Sequence, residues 1–404
     1  MMDRIIMHID VNNAFLSWSA VYYLEHGSNV DIRNTYAVIG GDEKNRTGIV
    51  LAKSNPAKKL GVVTGETLYA ARKKCPNLKT YPMNYPYYQM MSNKLFNLIK
   101  KYSPDIEIAS IDECYLDYTK VKSMYGDPLE FAEKLQKEVY DTLKFTINIG
   151  IANNKLCAKM ASDFSKPNKI HTCYDYEVKM KMWPLDVSEL FGVGKKSSEK
   201  LKMLGINTIS DLANADPMRL YPYFKNQTTH LINIANGIDN SIVDSSDIEN
   251  KGISNEVTLS HDINDIVELD KYLLSLSEKV SLRLRKEKKY ASVIAVILKD
   301  NEFRRRTHQK KLDNPTNSSE EIYKYSKLIL RQMHNDDFIR LIGLRLDNLT
   351  TENIKQISIF QSFDDNIKDE KLDKTLDELK NKYGTNIIKK AGSIKLKDRD
   401  NNGF

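Results

Sequence analysis

The sequence predicts a multidomain α+β fold, and this prediction depends on the chain length and on a change of pattern near Trp183. At 404 residues the chain is too long for one ordinary hydrophobic core, so about two to four domains are expected. Strand-like and helical segments alternate in the first half, whereas short helices with glycine-bearing turns follow Trp183. The 41% hydrophobic and 28% charged residues are typical of globular proteins.

Two runs of β-branched and aromatic residues predict neighbouring strands of one sheet in the first half. They are IIMHID (5–10) and DIEIASIDECYLDY (105–118), and the second run is expected to fold back on itself around Asp112. The helices predicted between and after them are Ala57–Leu60, Leu68–Lys74, Tyr88–Tyr102 and Pro128–Leu143, the last leading into the strand TINIGIA (146–152).

The second half begins with two short predicted helices within residues 190–216. Residues 240–250 are polar and lack periodicity, which predicts a linker. Apolar residues then recur at helical spacing, followed by the strand-like runs SVIAVILKD (292–300) and DFIRLIGLRLDNL (337–349). The last fifty or so residues contain one short amphipathic helix, Leu372–Lys382, and a polar end that we expect to be disordered.

Composition excludes several classes of protein. No apolar run approaches the roughly 20 residues of a membrane span, and the start MMDRIIMHID becomes acidic too early for a signal peptide, so a cytoplasmic protein without a membrane partner is expected. The four cysteines show no CxxC spacing, which favours buried thiols over a zinc site or disulfides. Residues 251–311 hold fourteen Lys/Arg against nine Asp/Glu, a cluster that suits a polyanion such as nucleic acid or simply a solvated face.

Three carboxylates are the strongest chemical signal. Asp10 ends the first strand, and Asp112 with Glu113 lies at the bend of another, so adjacent strand ends would bring them together. Clustered carboxylates repel each other unless a cation neutralises them, and hard oxygen ligands suit Mg²⁺. A lone Asp-Glu pair usually faces water at a strand end, but the apolar neighbours Ile111 and Cys114 make that interpretation less favourable here.

Three motifs follow one another along the chain: HIDVNNAF (8–15), ASIDECYLD (109–117) and NIGIANNKLCAKMASDFSKPNKI (148–170). In this order they resemble the first motif, the Ser-Ile-Asp-Glu motif and the palm segment of the Y-family, UmuC/DinB-like translesion DNA polymerases of bacteria. The resemblance implies a right-hand polymerase with a palm of mixed sheet and helices, small fingers, a helical thumb with a helix-hairpin-helix, and an α/β little finger. It also implies low-fidelity, template-directed synthesis past damaged bases.

The resemblance assigns roles to individual residues. It implies that Asp10, Asp112, Glu113 and the carbonyl of Val11 hold two Mg²⁺ ions, with Mn²⁺ as an alternative, and that Asn12 replaces the aspartate of many relatives. Phe15 matches the steric gate against ribonucleotides, although a core phenylalanine is the other interpretation. The residues implied in triphosphate binding are Asn55, Lys58 and Lys166, the first two standing where relatives often have Tyr and Arg.

The remaining implied contacts are with DNA and with a partner protein. FGVGKKSSEKLKMLGI (191–206) resembles the thumb helix-hairpin-helix, in which Gly192, Gly194 and Lys195 would approach a phosphate, although Phe191 replaces the usual proline. Arg304, Arg305 and Arg306 lie in a run with no local acidic counterweight, so we expect them to contact duplex phosphates rather than only to solubilise the surface. QISIF resembles the peptide that binds the sliding clamp, through Gln356, Ile359 and Phe360, or else forms an edge strand.

The domain boundaries follow from the resemblance together with the linker. We expect a palm at 1–22 and 82–174, fingers at 23–81, a thumb at 175–240, a linker at 241–250, a little finger at 251–350 and a tail at 351–404, in a monomer that binds primer-template DNA and deoxynucleoside triphosphates. GGDE (40–43) also suggests a nucleotide cyclase, but its flanking residues favour a turn in the fingers. An inactive DNA-bound scaffold is the other alternative, against which the intact carboxylates argue.

Overall fold

In a computed structural model the chain divides into two units. The structure describes residues 4–42, 46, 48–246, 250–352, 372–373, 375–380, 382–384 and 387–388. The first unit comprises Met1–Gly41 with Ile49–Asp247, and the second comprises Asp42–Gly48 with Ile248–Phe404. The main division between them therefore falls inside the predicted linker.

The first unit is a mixture of strands and helices, as the sequence predicts. Its strands are β1 (Ile6–Val11), β2 (Ala37–Gly40), β3 (Val50–Lys53), β4 (Lys79–Tyr81), β5 (Ile106–Ile108), β6 (Glu113–Asp117), β7 (Ile147–Ala152) and β8 (Ile170–Cys173). Its helices are α1 (Ala14–Glu25), α2 (Asn55–Lys59), α3 (Leu68–Lys74), α4 (Tyr85–Lys100), α5 (Lys122–Tyr125), α6 (Pro128–Leu143), α7 (Lys155–Asp163), α8 (Val178–Lys181), α9 (Lys195–Met203), α10 (Ile209–Ala213), α11 (Pro217–Phe224) and α12 (Thr228–Ala235).

A five-stranded sheet in the order β5-β6-β1-β7-β8 is the centre of this unit. β1 pairs antiparallel with both β6 and β7, and all of its residues are buried. Because side chains alternate along a strand, Met7 and Ile9 join the core formed with α4 and α6, whereas Ile6 joins the core formed with α7. His8 and Asp10 share the α7 face with Ile6.

Gly150 of β7 allows α7 to lie directly on the sheet. A Cβ atom at this position would lie 2.0 Å from the carbonyl oxygen of Ala158 and 2.4 Å from the amide nitrogen of Ser162. No side chain can fit in that space, so only glycine permits this approach of helix to strand.

Two smaller groups of elements complete the first unit. β3-β2-β4 form a three-stranded sheet, against which α2 and α3 pack around Val38, Val50 and Leu68. Helices α8 to α12 share the core of α7 through residues such as Val178 and Leu201.

The described part of the polar segment at 240–246 is irregular, as predicted, but it is tied to the first unit. The guanidinium of Arg4 donates to the carbonyl of Ser241 at 2.9 Å, and the backbone N–H of Asp244 donates to Glu107 Oε2 at 2.9 Å. Polar composition therefore does not prevent this segment from having fixed partners.

The second unit is a four-stranded antiparallel sheet covered by two long helices. Its elements are β9 (Gly252–Ile263), α13 (Ile266–Lys286), β10 (Tyr290–Asp300), β11 (Arg305–Thr316), α14 (Ser319–Met333) and β12 (Ile339–Thr350), with the strand order β11-β10-β12-β9. The leucines of α13 that recur at helical spacing, Leu269, Leu273 and Leu276 among them, are buried against the sheet.

The described residues of the predicted C-terminal helix are helical between 372 and 383. Arg285 of α13 binds two of its carboxylates, Asp373 at 3.1 Å and Asp377 at 2.6 Å. The clamp-like peptide with Gln356, Ile359 and Phe360 and the polar C-terminal end lie outside the described residues. Among the described helices, none is both long enough and apolar enough to cross a membrane. All four cysteines are buried free thiols, as predicted.

Candidate active site

The antiparallel pairing of β1 with β6 brings the predicted carboxylates to one end of the sheet. Asp10 is the cross-strand partner of Glu113, and the backbone N–H of Val11 donates to the carbonyl of Asp112 at 3.0 Å. Directly opposed residues on adjacent strands have Cβ atoms about 4.5–5.5 Å apart. The strand ends therefore meet where the sequence predicts, across more than a hundred residues of chain.

Each carboxylate uses one oxygen for a contact with the protein. Lys166 binds Oδ2 of Asp10, and the hydroxyl of Ser110 donates to Oδ1 of Asp112 at 2.6 Å. Oε2 of Glu113 accepts from the Lys159 ammonium at 2.6 Å and lies 2.9 Å from His8 Nε2. No donor among the described residues binds the second oxygen of any of the three carboxylates, so each has one oxygen available to a ligand.

Lysine ammonium groups neutralise the carboxylates of Asp10 and Glu113, for which the sequence predicts metal ions as the neutralising charges. Lys166 also binds Oδ1 of Asp163 at 2.9 Å, and Lys159 lies 3.4 Å from Oδ2 of the same residue. Within the described ranges, no group of three or more His, Cys, Asp or Glu side chains is arranged to hold a metal ion. The structure thus brings the strand ends with their acidic residues to one end of the sheet, without a complete chelate among the described residues.

The carboxylates of Asp10 and Glu113 differ in acidity because their surroundings differ. Burial raises the pKa of Asp10 above its ordinary value, although Lys166 and Lys159 act in the opposite direction. The hydrogen bond from His8, together with Lys159, lowers the pKa of Glu113 to about 2 despite partial burial. Glu113 is therefore ionised at neutral pH, and the chemistry of the oxygen donors fits a hard divalent cation.

A buried amide network holds the loop that carries Lys166. Asn12 Nδ2 donates to Asn148 Oδ1 at 2.9 Å, and Asn12 Oδ1 accepts from the backbone N–H of Asn168 at 2.8 Å. Asn148 Nδ2 donates to the carbonyl of Ser165 at 2.6 Å. Sequence reasoning identified Asn12 only as a replacement for aspartate and missed Asn148, although its place in the NIGIA strand was a signal.

Phe15 is the second residue of α1, four positions after β1 ends at Val11. Its ring is half-buried and stacks on the ring of Tyr88, with centroids 4.9 Å apart and planes at 10°. The hydroxyl of Tyr88 forms a 2.6 Å hydrogen bond with that of Ser19. The stacking fixes the orientation of the Phe15 ring.

The predicted triphosphate residues of the fingers lie at the start of α2. The hydroxyl of Ser54 caps this five-residue helix by accepting from the N–H of Ala57. Asn55 is its first residue, and Lys58 lies in its last turn and is exposed. Asn13 Nδ2 donates to the carbonyl of Lys53 at 2.7 Å, which links the loop after β1 to the end of β3. The third predicted triphosphate residue, Lys166, forms an ion pair with Asp10 and not a contact with Asn55 or Lys58.

The predicted thumb turn has the geometry expected of a glycine turn before a helix. Gly192 has φ of +94°, in the left-handed region that favours glycine. Gly194 is the N-cap of α9, and Lys195 is the first residue of that helix. The backbone N–H groups at the start of α9 therefore have no helical acceptors of their own.

The expectation that Arg304, Arg305 and Arg306 have no acidic counterweight is wrong. The ion pairs that neutralise them are Arg304 with Asp300 at 2.8 Å and with Glu302 at 3.0 Å, Arg305 with Glu256 at 2.5 Å, and Arg306 with Asp337 at 2.5 Å. Glu256 and Asp337 are distant in sequence and reach the arginines through the folding of the sheet. Inspection of the local sequence could not reveal them.

Comparisons with known proteins identify the family. The impB/mucB/samB family matches residues 9–163, its C-terminal domain matches residues 250–359, and its helix-hairpin-helix (HHH) motif matches residues 177–206. The chain belongs to the impB/mucB/samB family. Its relatives include DNA polymerase IV of Clostridium acetobutylicum, 45% identical over 98% of this chain and 100% of that protein, and DNA polymerase IV 1 of Bacillus subtilis, 35% identical over 99% and 96%.

Solved structures agree with this assignment. A Y-family DNA polymerase chimera of Dbh and Dpo4 is 26% identical, with a TM-score of 0.76, covering 86% of this chain and 100% of that one. An insertion ternary complex of Dbh DNA polymerase is also 26% identical, with a TM-score of 0.59 and the same coverage. The predicted right-hand polymerase fold is confirmed.

The family assignment also confirms the predicted activity. This impB/mucB/samB protein is a bacterial, Y-family DNA-directed DNA polymerase of the translesion type, and neither the nucleotide cyclase nor the inactive scaffold is favoured. Y-family polymerases use divalent metal ions.

Proposed function

We propose that Asp10, Asp112, Glu113 and the carbonyl of Val11 form the catalytic metal site of this polymerase, and that it holds two Mg²⁺ ions, which Mn²⁺ can replace. The observation that supports this most strongly is the pairing of Asp10 with Glu113 across β1 and β6, with one oxygen of each carboxylate left without a donor among the described residues. Two such ions, when bound, supply charge neutralisation for an in-line phosphoryl displacement.

The reaction is attack of the primer 3′-oxygen on the α-phosphorus of a deoxynucleoside triphosphate, with release of pyrophosphate. The chain contributes position and charge rather than a covalent group. Lys166 exchanges its contact with Asp10 for the β- and γ-phosphates, and Asn55 and Lys58 bind the same triphosphate from the start of α2. Lys58 is a mobile point charge, so it holds the phosphates with less defined geometry than an arginine would.

Phe15 selects the sugar. Its ring, held by stacking on Tyr88, would occupy the space that a ribose 2′-hydroxyl needs. The primer-template DNA is bound through its phosphates, by the N–H groups at Gly192, Gly194 and Lys195 and by Arg304, Arg305 and Arg306. Because these arginines are paired with carboxylates, their contribution depends on exchanging those partners for phosphate.

The domain arrangement is proposed with the boundaries given above. The five-stranded sheet would form the palm at 1–22 and 82–174, β2 to β4 the fingers at 23–81, α8 to α12 the thumb at 175–240, and the second sheet the little finger at 251–350, after a linker at 241–250. The tail at 351–404 would bind the sliding clamp through Gln356, Ile359 and Phe360, and the protein would act as a cytoplasmic monomer. Deleting residues 356–360 should leave distributive synthesis intact and abolish stimulation by the clamp, whereas equal loss of both would favour a structural role.

Primer extension on a defined template with Mg²⁺ tests the metal site. Asp112→Ala should abolish extension, while Asp117→Ala should retain it. Asp117 lies at the far end of β6, and among the described residues its carboxylate accepts a hydrogen bond from the N–H of Thr119 alone, at 3.1 Å. DNA binding, measured by fluorescence anisotropy, should persist in both variants. Extension by Asp112→Ala at the parental rate would exclude Asp112 from the site.

A further inference from the structure

His8 is a fully buried imidazole directly beneath the proposed metal site. It lies on the same face of β1 as Asp10, two residues earlier, and its ring centroid is 4.8 Å from that of Tyr115, its cross-strand neighbour on β6. A buried polar side chain needs hydrogen-bond partners. His8 has two: Nδ1 lies 2.8 Å from Ser162 Oγ, and Nε2 lies 2.9 Å from Glu113 Oε2.

The partners of His8 determine which ring nitrogen carries a proton toward the site. An ionised carboxylate only accepts hydrogen bonds, so Nε2 donates to Glu113. Ser162 Oγ is within reach of both His8 Nδ1 and the carbonyl of Lys159, at 2.8 Å each. Whichever of these the hydroxyl proton points to, Nε2 keeps its proton and remains the donor.

The hydrogen bond from His8 determines which oxygen of Glu113 faces a ligand. Both His8 and Lys159 use Oε2, and none of the described residues donates to Oε1. Lys159 also has a second carboxylate partner, Asp163 at 3.4 Å, so its ammonium divides its contacts between two acids. The ring of His8 is fixed by the sheet, by Tyr115 and by Ser162.

We propose that His8 is a positioning residue for the metal-dependent reaction: it holds Glu113 Oε2 so that Oε1 is presented to the divalent cation. This inference rests on the proposed metal site. Partners of this kind fix the orientation of a ligand, and their loss costs about 10–100-fold in metal affinity or activity.

A pair of amide substitutions separates this role from simple packing. In His8→Gln the side-chain amide reaches the place of Nε2 and can still donate to Glu113, whereas in His8→Asn it reaches only the place of Nδ1, beside Ser162. Both variants lose the buried ring, so similar decreases in Tm are expected. Mn²⁺ binding to the full-length protein, followed by electron paramagnetic resonance of the free ion, should weaken roughly ten-fold or more in His8→Asn and less than about three-fold in His8→Gln.

The Mg²⁺ concentration that gives half-maximal primer extension should shift in the same order. If either variant fails to fold, Ser162→Ala provides the test, because it removes the second partner of His8 and leaves Glu113 intact; we expect Mn²⁺ binding about three-fold weaker. Equal metal affinity in His8→Asn, His8→Gln and the parent would overturn the role of His8, as would equal weakening in both.

Asp112→Ala distinguishes failure of this inference from failure of the proposed function. If Asp112→Ala weakens Mn²⁺ binding and abolishes extension while His8→Asn changes neither, only the role of His8 is refuted. If Asp112→Ala leaves both unchanged, the proposed metal site is refuted and the role of His8 with it.

Discussion

Replacing Gly150 by alanine should move the helix that supports the active site. The added Cβ would lie 2.0 Å from Ala158 O and 2.4 Å from Ser162 N, whereas ordinary contact begins at 3.4 Å. Since both atoms belong to the backbone of α7, no rotamer change can relieve the overlap. The helix or the strand has to shift by about 1.4 Å in a close-packed interior.

The magnitude follows from this displacement. Overpacking of a well-packed core costs about 1–3 kcal/mol, and an overlap with backbone belongs at the upper end, near 3 kcal/mol. α7 carries Ser162 and Lys159, which contact His8 and Glu113, so their hydrogen bonds lengthen with the shift. When a change away from the reacting groups displaces them by about 1 Å, the reaction rate can fall on the order of 100-fold.

Urea unfolding followed by tryptophan fluorescence measures the stability of the first unit, because both tryptophans, Trp18 and Trp183, lie in it. Gly27→Ala is the matched control: Gly27 has φ of +87° and no atom within 4 Å of the added Cβ. The free energy of unfolding of Gly27→Ala should fall by about 1–2 kcal/mol through backbone strain alone, and its primer extension should stay at the parental rate. A Gly150→Ala variant that is no less stable than Gly27→Ala and extends primers at the parental rate would refute the argument.

Three further predictions concern the site and the DNA surface. Phe15→Ala should admit ribonucleotides, measured as the ratio of rNTP to dNTP incorporation on one template; unchanged selection would remove Phe15 from this role. His8 and Lys159 hold the pKa of Glu113 at about 2, below its ordinary 4.5, so its contribution to stability is present above about pH 4.5 and is lost as the pH falls toward 2. The free energy of unfolding, measured with urea from pH 6 to pH 2, should therefore fall less in Glu113→Gln than in the parent, by on the order of 2 kcal/mol. An equal fall in the two proteins would contradict this. Glu256→Gln should release Arg305 and strengthen DNA binding a few-fold at low salt, and the slope of log affinity against log salt concentration should become steeper by about one. Arg305→Gln should weaken DNA binding. Equal affinities of the parent and both variants in anisotropy titrations would show that this pair is not at the DNA.

Elements with strong local signals could be predicted from the sequence with accurate bounds. α6 has the predicted limits because Asp127 caps it and Pro128 occupies its first turn, both of which are recognisable start signals. The pairing of β1 with β6 followed from the motifs at their ends. The position of the carboxylates could therefore be predicted without coordinates.

The contacts that orient those carboxylates could not be predicted, because they join residues far apart in sequence. His8 and Ser162 are separated by 154 positions, and Lys159 and Glu113 by 46. One signal was available: the period of two along β1 places His8 on the same face as Asp10. Nothing in the sequence near Gly150 indicated that α7 would lie against it.

In the second unit the local sequence predicted the basic residues but not their acidic partners. Charge counting correctly located a cluster of arginines but could not locate the acids that β9 and the turn before β12 bring to them. Local charge therefore overestimates the positive potential of this surface. If these arginines bind DNA as proposed, phosphates replace their carboxylate partners, so both the affinity and its salt dependence are lower than the arginine count suggests.

The register of β1 links the stability of the five-stranded sheet to the proposed metal site. Met7 and Ile9 fill one core, whereas His8 and Asp10 face α7, and this alternation has a period of two residues. A slip of one residue would place His8 and Asp10 among the apolar side chains of α4 and α6, at the high cost of burying polar groups without partners. The hydrophobic pattern that selects the register therefore also places Asp10 opposite Glu113, so the geometry of the proposed metal site needs no separate source of specificity.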